Sequence, residues 1–187
     1  MNNNISLEEQ YKKRLKENYR VAMQVIKDVF GEEKVGELMC GAILLQVNST
    51  AVGRAGICKR YRGKGYCTIE VSEVLFQLSD DEIVNTLIHE ILHTFKDTDG
   101  HKGKWKIYAD KITENTKYKI TRLADSSNIV IDYKYQITCK SCGFIKNNHR
   151  LSKNKINQFK DKKIECSNCK YNEFTIKDLK KDIMILE

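Results

Sequence analysis

The 187-residue chain contains no proline, one tryptophan and four histidines. Nor does it contain a run of about 18 consecutive apolar residues, which excludes a transmembrane helix. Its first residues, Met1-Asn2-Asn3-Asn4, lack the basic start and apolar stretch of a secretory signal. The cytoplasm is therefore the expected compartment, and seven cysteines there point to metal ligands or free thiols rather than disulfides. Without proline, and without repeats or low-complexity tracts, the chain has none of the usual linker punctuation. Acidic residues are scarce in one region only. From Tyr133 to Glu187 there are 13 Lys+Arg against 6 Asp+Glu, whereas the first 132 residues hold 20 against 19. A basic C-terminal third suggests an acidic partner, nucleic acid foremost; a merely solvated lysine surface is the bland alternative.

Apolar residues make up 41% of the chain, enough for a packed core, and the length suits one domain with a small appendage. Tyr11, Leu15, Tyr19, Ala22, Ile26 and Val29 recur at helical spacing, so residues 7–30 are expected to form an amphipathic helix stopped at Gly31. Three strands are expected at Ala42–Val47, Ala51–Lys59 and Gly65–Ser72. Cys58 and Cys67 lie symmetrically about the second turn and could face each other across a hairpin; with Cys40, they read as small buried apolar residues. Ser79-Asp80-Asp81-Glu82 is a capping box opening a further helix. A helix from Lys102 to Asn115 follows a loop at Asp97-Thr98-Asp99-Gly100. Further on, Ile129–Ile131 and Tyr133–Thr138 read as strands and Thr175–Glu187 as a short helix.

The chemistry lies on the helix after Ser79, in His89-Glu90-Ile91-Leu92-His93. Two histidines four apart share a helix face and can share a zinc ion, and the adjacent glutamate can accept a proton from metal-activated water. A helix that happens to carry two histidines is the alternative for so short a pattern. Against it stand the well-formed cap, a third histidine, His101, after a helix-ending loop, and the cysteine pairs downstream. His89, His93 and His101 are therefore expected to bind a catalytic zinc as neutral imidazoles, with Glu90 as general base. Seven residues separate His93 from His101, with Lys96 at the third of them. A metzincin would have five, with glycine third. Glu114 is an arguable thermolysin-like third ligand, but the Gly100-His101 turn favours histidine. Tyr61 and Tyr108 are possible oxyanion donors that sequence cannot place.

Cys139-x2-Cys142 and Cys166-x2-Cys169 form two knuckles with zinc-ribbon spacing, expected to hold a structural zinc through four thiolates. An iron–sulfur cluster fits the ligand count but not the spacing of the cysteines. His149, between the knuckles, is expected to meet solvent or nucleic acid.

In combination these features resemble the SprT-like family of Spartan- and SprT-related zinc metalloproteases. The resemblance rests on the N-terminal helix, the short sheet, His89-Glu90-x-x-His93, His101 with Trp105 after it, and Tyr133-x-Tyr135 leading into the ribbon, from about Leu7 to Phe174. It implies an α+β architecture: a compact zincin-like metalloprotease domain over 1–130, with a small antiparallel-rich sheet, and a zinc-ribbon subdomain with a short tail over 131–187. It further implies cleavage of DNA-bound proteins, the role associated with repair of DNA–protein crosslinks. Where the family usually has glycine directly after the third histidine, Lys102 stands here and glycine follows at Gly103. The expected partners are protein substrates and DNA, with no membrane, and the chain is expected to act as a monomer. A non-proteolytic nucleic-acid-binding or transcription-associated zinc protein is the alternative.

Overall fold

The computed structural model describes residues 6–39, 41–51, 53–61, 63–122 and 132–187. The chain divides into two compact units, Met1–Val130 and Ile131–Glu187.

The first unit opens with α1 (Leu7–Phe30), whose Ser6 and Glu9 form a reciprocal capping box and whose end is marked by Gly31 at φ 84°. This is the helix expected from residues 7–30. It packs on α3 (Asp80–Leu92) through Leu15, Ala22 and Ile26, all buried with Ile83, Leu87 and Ile91 in one core. Arg14 fixes the register of that packing. Its guanidinium donates to Phe76 O at 2.6 Å, Leu78 O at 2.7 Å and Asp80 Oδ1 at 2.8 Å, and so ties α1 to the start of α3. A short helix, α2 (Glu32–Leu38), follows α1 and was not anticipated.

Strands β1 (Ala42–Asn48), β2 (Gly56–Arg60) and β3 (Tyr66–Ser72) form a sheet in the order β1-β3-β2. β3 pairs with β1 in parallel and with β2 antiparallel, so this sheet is mixed. Its centre, β3, is buried along six of its seven residues. β2 is five residues, shorter than expected; ahead of it Ala51 O and Ala55 O accept from the Ser72 hydroxyl and amide. Cys58 and Cys67 form no disulfide; they are not direct partners in the ladder, but their side chains meet diagonally on one face of it. Cys58 pairs with Ile69 and Cys67 with Arg60, a two-residue offset along the ladder. Cys67 is buried and Cys58 half-buried; Cys40 lies outside the described residues. Then come the 3-10 turn Glu73–Gln77, α3 with the expected Ser79/Glu82 box, and α4 (Lys104–Asn115), which begins two residues later than expected.

The second unit is built on an antiparallel sheet in the order β5-β4-β6-β7: β4 (Tyr135–Cys139), β5 (Ile145–Asn148), β6 (Phe174–Asp178) and β7 (Ile183–Leu186). A helix, α5 (Lys153–Lys160), delivers Phe159 edge-on against Phe174 at 5.0 Å. The expected C-terminal helix is instead the β6–β7 hairpin. Phe174, Ile176 and Asp178 alternate inward, and the Asp178 carboxylate accepts from the Lys180 and Lys181 amides to make the turn. Asp182 completes that turn at φ 54°. The spacing of Leu179, Ile183 and Leu186 mimics a helix, but a two-residue period governs the segment. The strand expected at Ile129–Ile131 lies outside the described residues.

Candidate metal centre

α3 is apolar on nearly every side, and Ile88, Ile91 and Leu92 hold its C-terminal turn in the core. His89 and His93 sit half-buried one turn apart, with His93 as the C-cap at φ −70°, ψ −11°. Beyond it the chain folds back tightly. Thr94 N donates to Ile91 O at 2.8 Å and the buried Thr98 hydroxyl to Phe95 O at 2.7 Å. Lys104 pairs with Asp97, which has φ 61°. Gly100 at φ 74° then turns His101 back toward the helix. Gly103, at φ 57°, is the N-cap of α4. The glycine displaced by Lys102 therefore still supplies the left-handed conformation needed to start α4, and His101 remains in the cluster.

The three imidazoles converge. His101 Nε2 lies 2.9 Å from His89 Nε2 and 3.2 Å from His93 Nε2. His89 Nδ1 faces the Thr121 carbonyl at 2.8 Å and His93 Nδ1 the Thr98 carbonyl at 3.2 Å. A carbonyl only accepts, so both Nδ1 atoms carry the proton and both Nε2 atoms present lone pairs. Three ring nitrogens converging this closely suit a cation between them. Tetrahedral zinc with Zn–N near 2.0–2.1 Å places its nitrogen ligands about 3.3 Å apart, close to the spacing found here. Burial holds His89 down to about 4, and burial likewise lowers His93 and His101, so all three are neutral near pH 7, as ligands must be. Trp105, on α4 and 3% exposed, lines the group, its ring 4.7–5.5 Å from each imidazole and stacked on His93.

Glu90, which follows His89 on α3, is 6% exposed. Burial pushes its carboxyl up to about 7, opposed by a hydrogen bond from the Cys58 amide and by the charge of Arg54. Gly56, the first residue of β2, packs directly on it. A Cβ at that position would stand 2.9 Å from both Cγ and Oε1 of Glu90. Gly56 is thus a residue of the site that reading the sequence missed; its only signal was a glycine inside a strand.

Neither tyrosine considered as an oxyanion donor is brought to the cluster. Tyr108 packs edge-on to Phe30 and Phe95 at 5.4 and 5.7 Å, and Tyr61 lies against Tyr66 at 5.3 Å. Glu114 is exposed on α4 and does not belong to the metal-ligating group.

Residues 8–124, a span that includes the sheet, α3 and all three histidines, match the model of the SprT-like family. The chain belongs to the SprT-like family. No curated protein matches it. The matched span ends before the first knuckle, so the cysteine unit extends this SprT-like domain beyond its family-defining part.

In that unit the four Sγ atoms lie within 4.8 Å of one another. Cys139 Sγ is 3.6 Å from Cys169 and Cys142 Sγ 3.7 Å from Cys166. These separations are far beyond a disulfide and close to the roughly 3.8 Å that tetrahedral zinc sets between thiolates at Zn–S near 2.3 Å. The two knuckles share one backbone design. Cys139 N donates to Phe144 O at 2.9 Å and Gly143 N to Cys139 O at 3.0 Å; Cys166 N donates to Tyr171 O at 2.7 Å and Lys170 N to Cys166 O at 2.9 Å. The left-handed position is Gly143 in one and Lys170, at φ 63°, in the other. His149 is not part of the group. Its side chain is half-buried, with Nδ1 enclosed and unpartnered. Among the described residues no helix is long and apolar enough to cross a membrane.

Proposed function

We propose that this SprT-like protein is a zinc-dependent metalloendopeptidase acting on proteins bound to nucleic acid, as in the removal of DNA–protein crosslinks. The observation that carries the reading is the meeting of three imidazole Nε2 atoms at 2.9–3.2 Å, two of them on the helix that also carries the buried Glu90. A zinc ion held by His89, His93 and His101 would supply Lewis acidity toward a water molecule and toward the scissile carbonyl. Glu90, at about 7, is matched to accept a proton from that water and return it to the leaving amine. The Cys58 amide and the bare backbone of Gly56 fix the direction of its carboxylate. Trp105 keeps bulk water from the far side of the imidazoles.

Cys139, Cys142, Cys166 and Cys169 would hold a second, structural zinc, and such binding can contribute about 10–16 kcal/mol of apparent folding free energy to so small a unit. The surplus of positive charge after Tyr133 supports an acidic partner. Of the acids there, Asp161, Glu173, Asp178 and Asp182 are already paired with lysines. The test is incubation of zinc-loaded protein with a DNA-binding protein, with and without single-stranded DNA. The reading predicts DNA-stimulated cleavage that disappears in Glu90→Gln. DNA binding without hydrolysis of any protein would instead establish a non-proteolytic nucleic-acid-binding protein.

A further inference from the structure

The turn between β2 and β3 has a composition found nowhere else in the chain. Lys59-Arg60-Tyr61-Arg62-Gly63-Lys64-Gly65-Tyr66 contains four cations, two tyrosines, two glycines and no acid. Arg62 lies outside the described residues. Arg60, Tyr61, Gly63, Gly65 and Tyr66 line, with Cys67 and Asp99, a concavity of about 480 Å³; Lys59 and Lys64 lie outside its wall, and Lys59 is paired with Glu70. Its single acid, Asp99, is paired with Arg60, so the wall carries no uncompensated negative charge.

Three features of this pocket suit one ligand chemistry. Tyr61 is 39% exposed, and its ring leans on Tyr66 with centroids 5.3 Å apart and planes tilted by 43°. Lys64 Nζ stands over the Tyr61 ring, 5.7 Å from its centre, so the ring already takes a cation and a stacking base would share the ring with it or move it aside. Gly63 and Gly65 are at φ 76° and 60°, and a Cβ on either would meet nothing within 4 Å, which leaves bare backbone bordering open space. The turn is also anchored. Lys64 N closes on Tyr61 O at 3.2 Å, and Gly65 O accepts from Ala42 N at 3.1 Å. The same carbonyl lies 2.2 Å from where a Cβ on Gly41 would be, so Gly41 must stay glycine for the tip to hold its place.

We propose that this tip is a binding site for single-stranded nucleic acid, with an unstacked base on Tyr61 and a backbone phosphate beside Lys64 and the glycine amides. An aromatic platform next to a cation is how strands are held without sequence readout, and a duplex would not offer the face of a base. The inference deepens the function proposed above and rests on its nucleic-acid component. It places the strand on the metalloprotease unit itself. Asp99 of the wall precedes His101 by two residues, so a bound strand lies beside the candidate metal centre.

The test uses the full zinc-loaded chain carrying Glu90→Gln, so that proteolysis cannot confuse binding. Fluorescent oligo-dT, oligo-U and a DNA duplex are titrated against it by anisotropy, alongside a poly-glutamate peptide. Tyr61→Ala is expected to weaken single-strand binding by about 5- to 150-fold, as loss of one stacking partner does. Tyr61→Phe is expected to bind like the parent. Lys64→Ala is expected to reduce the salt slope by about one ion. Both DNA and RNA strands are expected to bind; a preference for one would assign the source without moving the site. Unfolding midpoint and zinc content are expected to stay unchanged. Tyr61→Ala and Lys64→Ala proteins that bind as tightly as the parent overturn the placement and leave the strand elsewhere on the chain. Tyr61-dependent binding of poly-glutamate alone also overturns it. If the parent binds no oligonucleotide, both this site and the nucleic-acid part of the proposed function fall. Cleavage of an unfolded protein by the chain without Glu90→Gln would still stand as a separate result.

Discussion

Replacing Gly56 with alanine adds one methyl group against Glu90 and nothing else, since the glycine is in ordinary extended strand conformation. The new Cβ would sit 2.9 Å from Glu90 Cγ and Oε1, where ordinary contact begins at 3.4 Å. About half an ångström must therefore open between strand and carboxylate. Glu90 has no room to swing aside, because it is 6% exposed and tied to the Cys58 amide. Overpacking of this kind costs about 1–3 kcal/mol, and the better strand preference of alanine returns about 0.5–1 kcal/mol. The expected net loss is about 1–2 kcal/mol, small enough for the protein to remain folded. Catalysis is more sensitive, since displacement of a reacting group by about 1 Å can cost about 100-fold. Gly56→Ala is expected to lower kcat/KM by about 10- to 100-fold with zinc content intact. The assay is peptide cleavage paired with metal analysis and urea unfolding on the same preparation. Wild-type kcat/KM in this variant would refute the packing argument, and so would a rate loss fully explained by missing zinc.

Four other outcomes follow from the geometry. With Glu90 at about 7 in the metal-free site, and with zinc able only to pull it lower, the cleavage rate should rise with pH along an acid limb centred at or below about 7 and should not fall as Glu90 ionises. In metal-free protein two groups oppose each other. Glu90, raised from 4.5 to about 7, adds stability while protonated and loses it as pH rises through 7; His89, lowered from 6.5 to about 4, adds stability above 6.5 and loses it as pH falls toward 4. Each is worth about 3 kcal/mol at most, so Glu90→Gln should make metal-free unfolding markedly steeper on acidification from pH 6.5 to 4.5 than wild type, as read by urea titrations across that range. Lys170→Gly should stabilise the zinc-loaded second unit by about 0.5–1 kcal/mol, because Gly143 already shows what the matching knuckle position prefers. Arg14→Ala should destabilise the first unit by about 2–3 kcal/mol in chemical denaturation, since it strips partners from two backbone carbonyls and Asp80.

The parts of the site legible in the sequence are those written in local chemistry. The Ser79 box, the helical period behind His89 and His93, and the glycine turn before His101 each act within a few residues, and the structure brings all three histidines together. The paired cysteines were legible for the same reason. Contacts between distant segments were not. Nothing local links Gly56 to Glu90, and nothing local announces that β1 runs parallel to β3 while β2 occupies the edge. The offset of Cys58 from Cys67 comes from where the ladder closes at the Tyr61–Gly65 turn, a register that symmetric spacing in the sequence does not determine. At the C-terminus the misreading had a specific source. Leu179, which supported a helical stripe, is 40% exposed at the hairpin turn, whereas the alternation that matters runs through Asp178, an acid buried because it holds the turn amides. A buried carboxylate at an inward position hides a strand from any apolar-period reading.

The central claim is that Glu90 acts as the base beside an ion held by His89, His93 and His101. It is tested most directly by the peptide-cleavage rate of Glu90→Gln on protein whose zinc content matches wild type. The account predicts two zinc ions per chain in both proteins and a rate in the variant lower by at least 100-fold. Undiminished cleavage with both zinc ions in place would contradict it.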